Sequence, residues 1–219
     1  MSVEIALRAA RVRYGPLEAL HGLDLPVPAA TVTVLVGRNG SGRTTALRAL
    51  AGTVPLASGR VLWRGADVTR LHAHARARRG LCLVPDLRAV YATLTVAENL
   101  DLAPGDPERA LAAYPELRPL LARPAGTLSG GERRMLALSR ALVTPAQVVL
   151  VDEPSLGMSP AVSARTYRLL AALARPGGAA VVLAEQRPPP GLPSGTLLYE
   201  LRRGSLAFSG EAAEFTAGR

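Results

Sequence analysis

The sequence contains no lysine: all 26 of its basic residues are arginine, and against 17 acidic residues they leave a formal charge of +9. Isoleucine occurs only at Ile5, while alanine, glycine, proline and arginine are abundant. This bias resembles a GC-rich coding sequence, which exchanges lysine for arginine and explains the missing lysines better than the excess of positive charge. The charge alone suits nucleic acid or an anionic membrane surface. No basic stripe with interleaved stacking aromatics occurs, however, which disfavours nucleic acid as a partner. Cys82 is the single cysteine, set in Leu81-Cys82-Leu83-Val84, and it reads as a small buried hydrophobe without function. Long apolar runs are missing as well: Thr31–Val36 and Val148–Val151 fall far short of the ~20 residues that span a bilayer as a helix. The start, Met1-Ser2-Val3-Glu4, has neither the basic segment nor the apolar core of a secretory signal. A soluble, cytoplasmic chain is the expectation. A length of 219 residues suits one α/β domain with a substantial core and room for a small inserted subdomain.

Read in order, Val3–Leu7 and Arg11–Tyr14 alternate like short strands, and a turn region follows. Thr31–Val36 is a β-branched run that reads as a buried strand feeding a glycine-rich turn. Thr44–Ala51 has helix composition and stops at Gly52, and Gly59–Trp63 and Leu81–Val84 read as further strands. From Tyr91 to Ala125 the pattern is helical but broken by Pro104, Pro107, Pro115, Pro119 and Pro124. Short helices joined by turns are expected there, as a small insertion spanning about 91–128. Gly131–Val143 and Pro160–Ala174 read as helices, Gln147–Val151 and Ala180–Ala184 as strands. This alternation predicts a largely parallel core sheet. Arg187-Pro188-Pro189-Pro190-Gly191 cannot be helical, and Leu197–Leu201 with Ser205–Phe208 reads as a closing hairpin. No internal repeat occurs.

Three segments carry chemistry. Gly37-Arg38-Asn39-Gly40-Ser41-Gly42-Arg43-Thr44-Thr45 follows a strand and opens a helix, as a phosphate-binding loop requires. Its glycines let the backbone wrap an anion, the helix N-terminus adds a favourable dipole, and Thr44 can offer its hydroxyl to Mg²⁺. An ordinary glycine-rich turn would share the composition. Arg43 stands where the motif expects lysine. An ammonium is a compact point charge between the β- and γ-phosphates, whereas a guanidinium is wider and planar. Val148-Val149-Leu150-Val151-Asp152-Glu153-Pro154 is an apolar strand ending in two acids. Asp152 would hold Mg²⁺ and Glu153 would polarise the attacking water as general base. Alone, such a pair is more often a helix or turn start. Leu128-Ser129-Gly130-Gly131-Glu132 precedes a helix, where Ser129 could simply be an N-cap.

Together these segments resemble the ABC transporter ATPase family, in which the signature segment of one subunit closes over the γ-phosphate held by another. The resemblance implies a P-loop ATPase core with a mainly parallel sheet, N-terminal antiparallel strands and a short helical subdomain, all within a single cassette over 1–219. It assigns ATP to Gly37, Asn39, Gly40, Ser41, Gly42, Arg43, Thr44 and Thr45, and the partner's ATP to Ser129, Gly130 and Gly131. Tyr14 matches the aromatic on which the family stacks adenine, although a surface or core tyrosine is the plainer alternative. Leu94-Thr95-Val96-Ala97-Glu98-Asn99-Leu100 and Asp152-Glu153-Pro154-Ser155-Leu156-Gly157-Met158-Ser159-Pro160 are similar to the second ATPase of the branched-chain amino-acid importers, with urea-type importers close by.

The family pattern is broken in several places. Asp86 replaces a glutamine that senses Mg²⁺ and contacts the membrane subunit, so the implied metal set is Thr44, Asp86 and Asp152. Gln186 stands where many relatives carry a switch histidine, although glutamine is usual in the amino-acid subfamily, and it joins Glu153 in the implied catalytic pair. The insertion is shorter than the family's, and Pro188, Pro189 and Pro190 replace a helix. The expectation is an ATP- and Mg²⁺-dependent ATPase peripheral to the cytoplasmic face of the cell membrane. It would act with a second ATPase subunit, membrane permeases and a solute-binding protein. The alternative is a degenerate regulatory subunit that binds nucleotide with little or no hydrolysis. Soluble relatives acting on DNA or ribosomes are disfavoured, because the chain holds one cassette without their extra arms.

Overall fold

The computed structural model describes residues 2–86 and 89–215. Its chain begins with two long antiparallel strands, β1 (Val3–Tyr14) and β2 (Leu17–Pro28). The two short strands expected at the start are therefore one. Between them Ala9 adopts φ +45° in a register shift, and the Asp24 carboxylate accepts its N–H at 3.1 Å. The expected turn region is itself β2. Leu23, Leu25 and Val27 alternate into the core, but Gly22, Pro26 and Pro28 obscure the period of two. Those prolines are tolerated because β2 pairs only with β1 in its sheet and forms the edge, where a missing N–H breaks no ladder.

Next come β3 (Val32–Val36), α1 (Arg43–Ala51), β4 (Ser58–Trp63), a two-residue β5 (Ala66–Asp67), α2 (Ala73–Arg78) and β6 (Leu81–Val84). Between β6 and β7 (Val148–Asp152) lie α3 (Val96–Asp101), α4 (Pro107–Ala113), short 3-10 turns over Pro115–Leu120 and Ala125–Thr127, and α5 (Gly130–Val143). Pro107 and Pro115 open α4 and the first of these turns, where a missing N–H costs nothing. α6 (Pro160–Leu173), β8 (Ala180–Glu185), β9 (Leu197–Arg202), β10 (Ser205–Glu211) and α7 (Ala212–Phe215) complete the described chain.

Two sheets result, β2-β1-β4-β5 and β10-β9-β3-β8-β7-β6. In the larger one β9, β3, β8, β7 and β6 run parallel, and β10 returns antiparallel as the expected hairpin. β3, β7 and β8 are buried along their whole length, so side chains alternate between two cores rather than between core and water. Val34, Val151 and Leu183 face the core shared with α5 and α6. Leu35, Leu150 and Val182 face α1 and the antiparallel sheet. α1 is thus clasped between two sheets. Its C-terminal turn is closed by Arg76, only 2% exposed, whose guanidinium donates to the carbonyl oxygens of Ala49 at 2.8 Å and Leu50 at 2.6 Å and also to Leu71, Val68 and Thr69. Cys82 is half-buried rather than fully buried, and burial pushes its thiol up to about 11, consistent with an inert role.

Candidate active site

The segments that follow β3, β6, β7 and β8 meet at one edge of the larger sheet and line a cleft of about 890 Å³. This is the carboxyl edge, where open α/β sheets bind ligands. β3 delivers Asn39 to Thr45, β6 delivers Asp86, β7 delivers Glu153 and β8 delivers Gln186, while Tyr14, Leu17 and Glu18 from the β1–β2 hairpin form the opposite wall. Tyr14 is 42% exposed, leaving its ring available for stacking.

The loop needs its glycines for stated reasons. A Cβ at Gly37 would collide with the Leu201 carbonyl oxygen and stand 2.6 Å from Ser41 Oγ. Gly42, at φ +104°, is the N-cap of α1, and a Cβ there would lie 2.9 Å from Leu20 Cδ2. The loop is further tied by the Gly204 N–H, which donates to the Ser41 carbonyl at 2.8 Å and brings Arg203 to the cleft wall. Arg43 is 6% exposed and reaches Glu153, with Nη2 2.9 Å from Oε1. Its Nη1 and Ser41 Oγ are buried without hydrogen-bond partners in the protein. A buried cation and hydroxyl so placed behind an anion-sized loop fit the phosphates of a nucleotide.

The two acids at the end of β7 differ in setting. Asp152 is 2% exposed and does not itself line the cleft, and its Oδ1 has no hydrogen-bond partner in the protein. Burial pushes its carboxyl above the usual carboxylate range. The Thr44 hydroxyl opposes that shift, while the charges of Asp86 and Glu153 add to it. Glu153 takes the left-handed φ of +50°, which swings its side chain out of the strand direction and into the cleft, and its N–H donates to the Ala184 carbonyl at 2.8 Å. Its carboxyl is also raised, by burial first, with Arg43 opposing and Glu185 reinforcing. Among the described residues no three His, Cys, Asp or Glu side chains form a ready metal site. An unsatisfied Asp152 oxygen beside Thr44, with Asp86 nearby, fits Mg²⁺ only as an ion that takes further oxygens from nucleotide phosphates.

Ser129, Gly130 and Gly131 stand apart from this cleft. Ser129 is the N-cap of α5: its hydroxyl accepts from the Glu132 N–H at 3.2 Å, and Glu132 accepts from the Ser129 N–H at 2.7 Å. Beyond it Gly130 borders open space, and Gly131 packs against the Gly157 carbonyl. Ser129 and Gly130 are exposed, and none of the three residues lines the cleft of the phosphate loop.

The sequence reading passed over three side chains around the site. Arg134, 4% exposed on α5, donates to the Pro85 carbonyl at 2.5 Å and to the Asp152 carbonyl. Glu185 ends β8 and accepts from Tyr167 and Ser155. Glu185 did carry a legible signal, the same one as Asp152: an acid closing an all-apolar strand. Arg134 and Tyr167 sit in ordinary helical sequence and carried none.

With this geometry in view, the chain matches the family model described as "ABC transporter" over residues 20–156. It is 36% identical over 210 residues to a probable branched-chain amino acid transport ATP-binding protein, LivF, of Archaeoglobus fulgidus, covering 92% of this chain and 89% of that one. It is 33% identical over 202 residues to the high-affinity branched-chain amino acid transport ATP-binding protein BraG of Pseudomonas aeruginosa, covering 88% and 86%. Its fold is shared with an ATP-binding cassette of an ABC transporter solved in its ADP conformation, at TM-score 0.80 and 23% identity over 98% of this chain and 93% of that one. A bacterial ABC transporter cassette solved as a dimer superposes at TM-score 0.83 and 21% identity over 94% and 98%.

Proposed function

The chain belongs to the ABC transporter family as an ATP-binding subunit, and from that premise we propose that it hydrolyses MgATP to drive uptake of branched-chain amino acids or chemically similar solutes. The observation that carries the ATPase reading is Glu153: a strand end turned back at φ +50° presents this carboxylate in the cleft, beside the only cation of the phosphate loop's helix start. The solute class is taken from the names of the two curated relatives.

In this reading the backbone of Gly37 to Gly42, with Arg43 and Ser41, holds the phosphates, and Tyr14 stacks on the base. Bound MgATP supplies the phosphoryl group and a divalent charge beside Thr44, Asp152 and Asp86. Glu153 orients water and takes its proton. Gln186 borders the same space from β8. The exposed start of α5 serves the ATP of a second ATPase subunit across a dimer interface, and permease subunits with a solute-binding protein complete the transporter. The whole chain is one cassette, with residues 91–128 as its helical insertion, and it works at the cytoplasmic face of the membrane.

A second reading rests on the Arg43–Glu153 ion pair: an arginine that neutralises the base also suits a subunit that binds nucleotide and turns over little. Steady-state MgATP hydrolysis by the purified chain and by its membrane complex separates the two. Turnover lost with Glu153→Gln supports the ATPase reading, and tight ATP binding without wild-type turnover supports the regulatory one.

A further inference from the structure

Glu153 holds a left-handed backbone conformation that is uncommon for a non-glycine residue, and the hydrogen bonds that fix it are visible. The backbone donors of the segment can be followed one by one. The Glu153 N–H donates to the Ala184 carbonyl at 2.8 Å. Pro154 has no N–H to give. The Ser155 N–H points to Glu185 Oε1 at 3.4 Å, and the Ser155 hydroxyl reaches the same oxygen at 3.1 Å. Tyr167, from α6, donates its hydroxyl to that oxygen too. Every backbone donor from Glu153 to Ser155 is therefore taken by two consecutive residues of β8.

Glu185 is only 6% exposed, and burying a carboxylate is costly unless it is well hydrogen-bonded. Arg134 from α5 and Glu153 are the charged side chains whose fields it shares. A purely structural strand end would be served as well by an apolar residue, as at every earlier position of β8. We propose that Glu185 is a positioning residue for the general base: through Ser155 and Tyr167 its buried carboxylate clamps the turn after β7, so that Glu153 points at the attacking water. This rests on the ATPase reading, because the clamp matters to rate only if Glu153 acts as the base.

All three donors converge on one oxygen, so an amide oxygen can replace it. The test measures kcat and KM for MgATP in Glu185→Ala, Glu185→Gln, Tyr167→Phe and Ser155→Ala, together with amide hydrogen exchange over residues 153–156. Expected are a kcat lowered by about 10- to 100-fold in Glu185→Ala with KM nearly unchanged, the scale of loss when a reacting group is misplaced by about 1 Å. Most of the rate should return in Glu185→Gln, and Tyr167→Phe and Ser155→Ala should fall between; exchange at 153–156 should quicken most in Glu185→Ala, less in Tyr167→Phe and Ser155→Ala, and little in Glu185→Gln. Wild-type kcat in Glu185→Ala, or equal losses in kcat and affinity with no recovery in Glu185→Gln, overturns the proposal. If Glu185→Ala does not fold, the Tyr167→Phe and Ser155→Ala rates and exchange decide. A wild-type chain that binds MgATP without turnover defeats the ATPase reading instead. The clamp then stands if exchange over 153–156 quickens in Glu185→Ala and falls if it does not.

Discussion

Arg43 Nη2 lies 2.9 Å from Glu153 Oε1, joining the cation that opens α1 to the carboxylate at the end of β7. Nη2 is committed to Glu153 while Nη1 has no partner in the protein, so the guanidinium neutralises the candidate base and still has a donor left for phosphate. An ion pair that persisted with nucleotide bound would hold Glu153 back from water. Arg43→Lys, with its smaller and more mobile charge, is expected to raise kcat by about tenfold, an effect of about 1.4 kcal/mol on the barrier. Glu153→Gln should lower kcat by about 10²- to 10⁴-fold while ATP binding persists. Steady-state ATPase assays beside equilibrium binding with a fluorescent ATP analogue check both, and an unchanged rate in Arg43→Lys would show that the pair does not restrain the base.

The buried carboxyl of Asp152 yields a pH prediction. Its folded-state pKa is raised by burial, so the nucleotide-free folded protein holds that proton more tightly than the unfolded chain. Stability from this group is full below the unfolded pKa and declines as pH rises through the folded one. Asp152→Asn is therefore expected to raise the melting temperature of the nucleotide-free protein at neutral pH, and the gain should vanish on acidification. In saturating MgATP the sign should reverse, because the carboxylate then has a cation to serve. Thermal melts across pH with and without MgATP test this.

Arg76 is expected to matter to stability rather than chemistry. Its guanidinium meets five carbonyl oxygens around the end of α1 while lying outside the cleft. Arg76→Met keeps the stem but strands those acceptors, and a loss of about 3 kcal/mol in unfolding free energy is expected. Denaturant melts measure it; a loss below about 0.5 kcal/mol, the range of neutral surface changes, would contradict the account.

Arg43 and Asp86, which depart from the family pattern, line the chain's own cleft, whereas Ser129, Gly130 and Gly131 do not. If the chain pairs with a different ATPase subunit whose site turns over faster, Ser129→Ala should remove more of the complex's ATPase activity than Glu153→Gln. The cap it deletes costs only about 1 kcal/mol, too little to explain such a loss through unfolding. The reverse ranking would place the main turnover in this chain's own cleft.

Much of this was legible in the chain itself. β3, β7 and β8 announce themselves as continuous apolar runs because a strand buried on both faces has no polar side to alternate. The glycines of the phosphate loop and the Asp152-Glu153 pair are local signals too, since a tight anion-binding turn and an acid at a strand end are encoded by neighbours in sequence. β2 was missed because its prolines mimic a turn, and only its place at a sheet edge makes them harmless.

Sequence by itself determined the buried strands β3, β7 and β8, the phosphate loop and the candidate acids, all of which depend on residues a few positions apart. Tertiary structure alone decided that Arg43 meets Glu153, that Arg134 reaches the carbonyls of Pro85 and Asp152, and that Glu185 gathers Ser155 and Tyr167. These contacts arise where parallel strands distant in sequence end side by side and helices pack across them. Their energies come from burial and from hydrogen bonds whose partners no local pattern names.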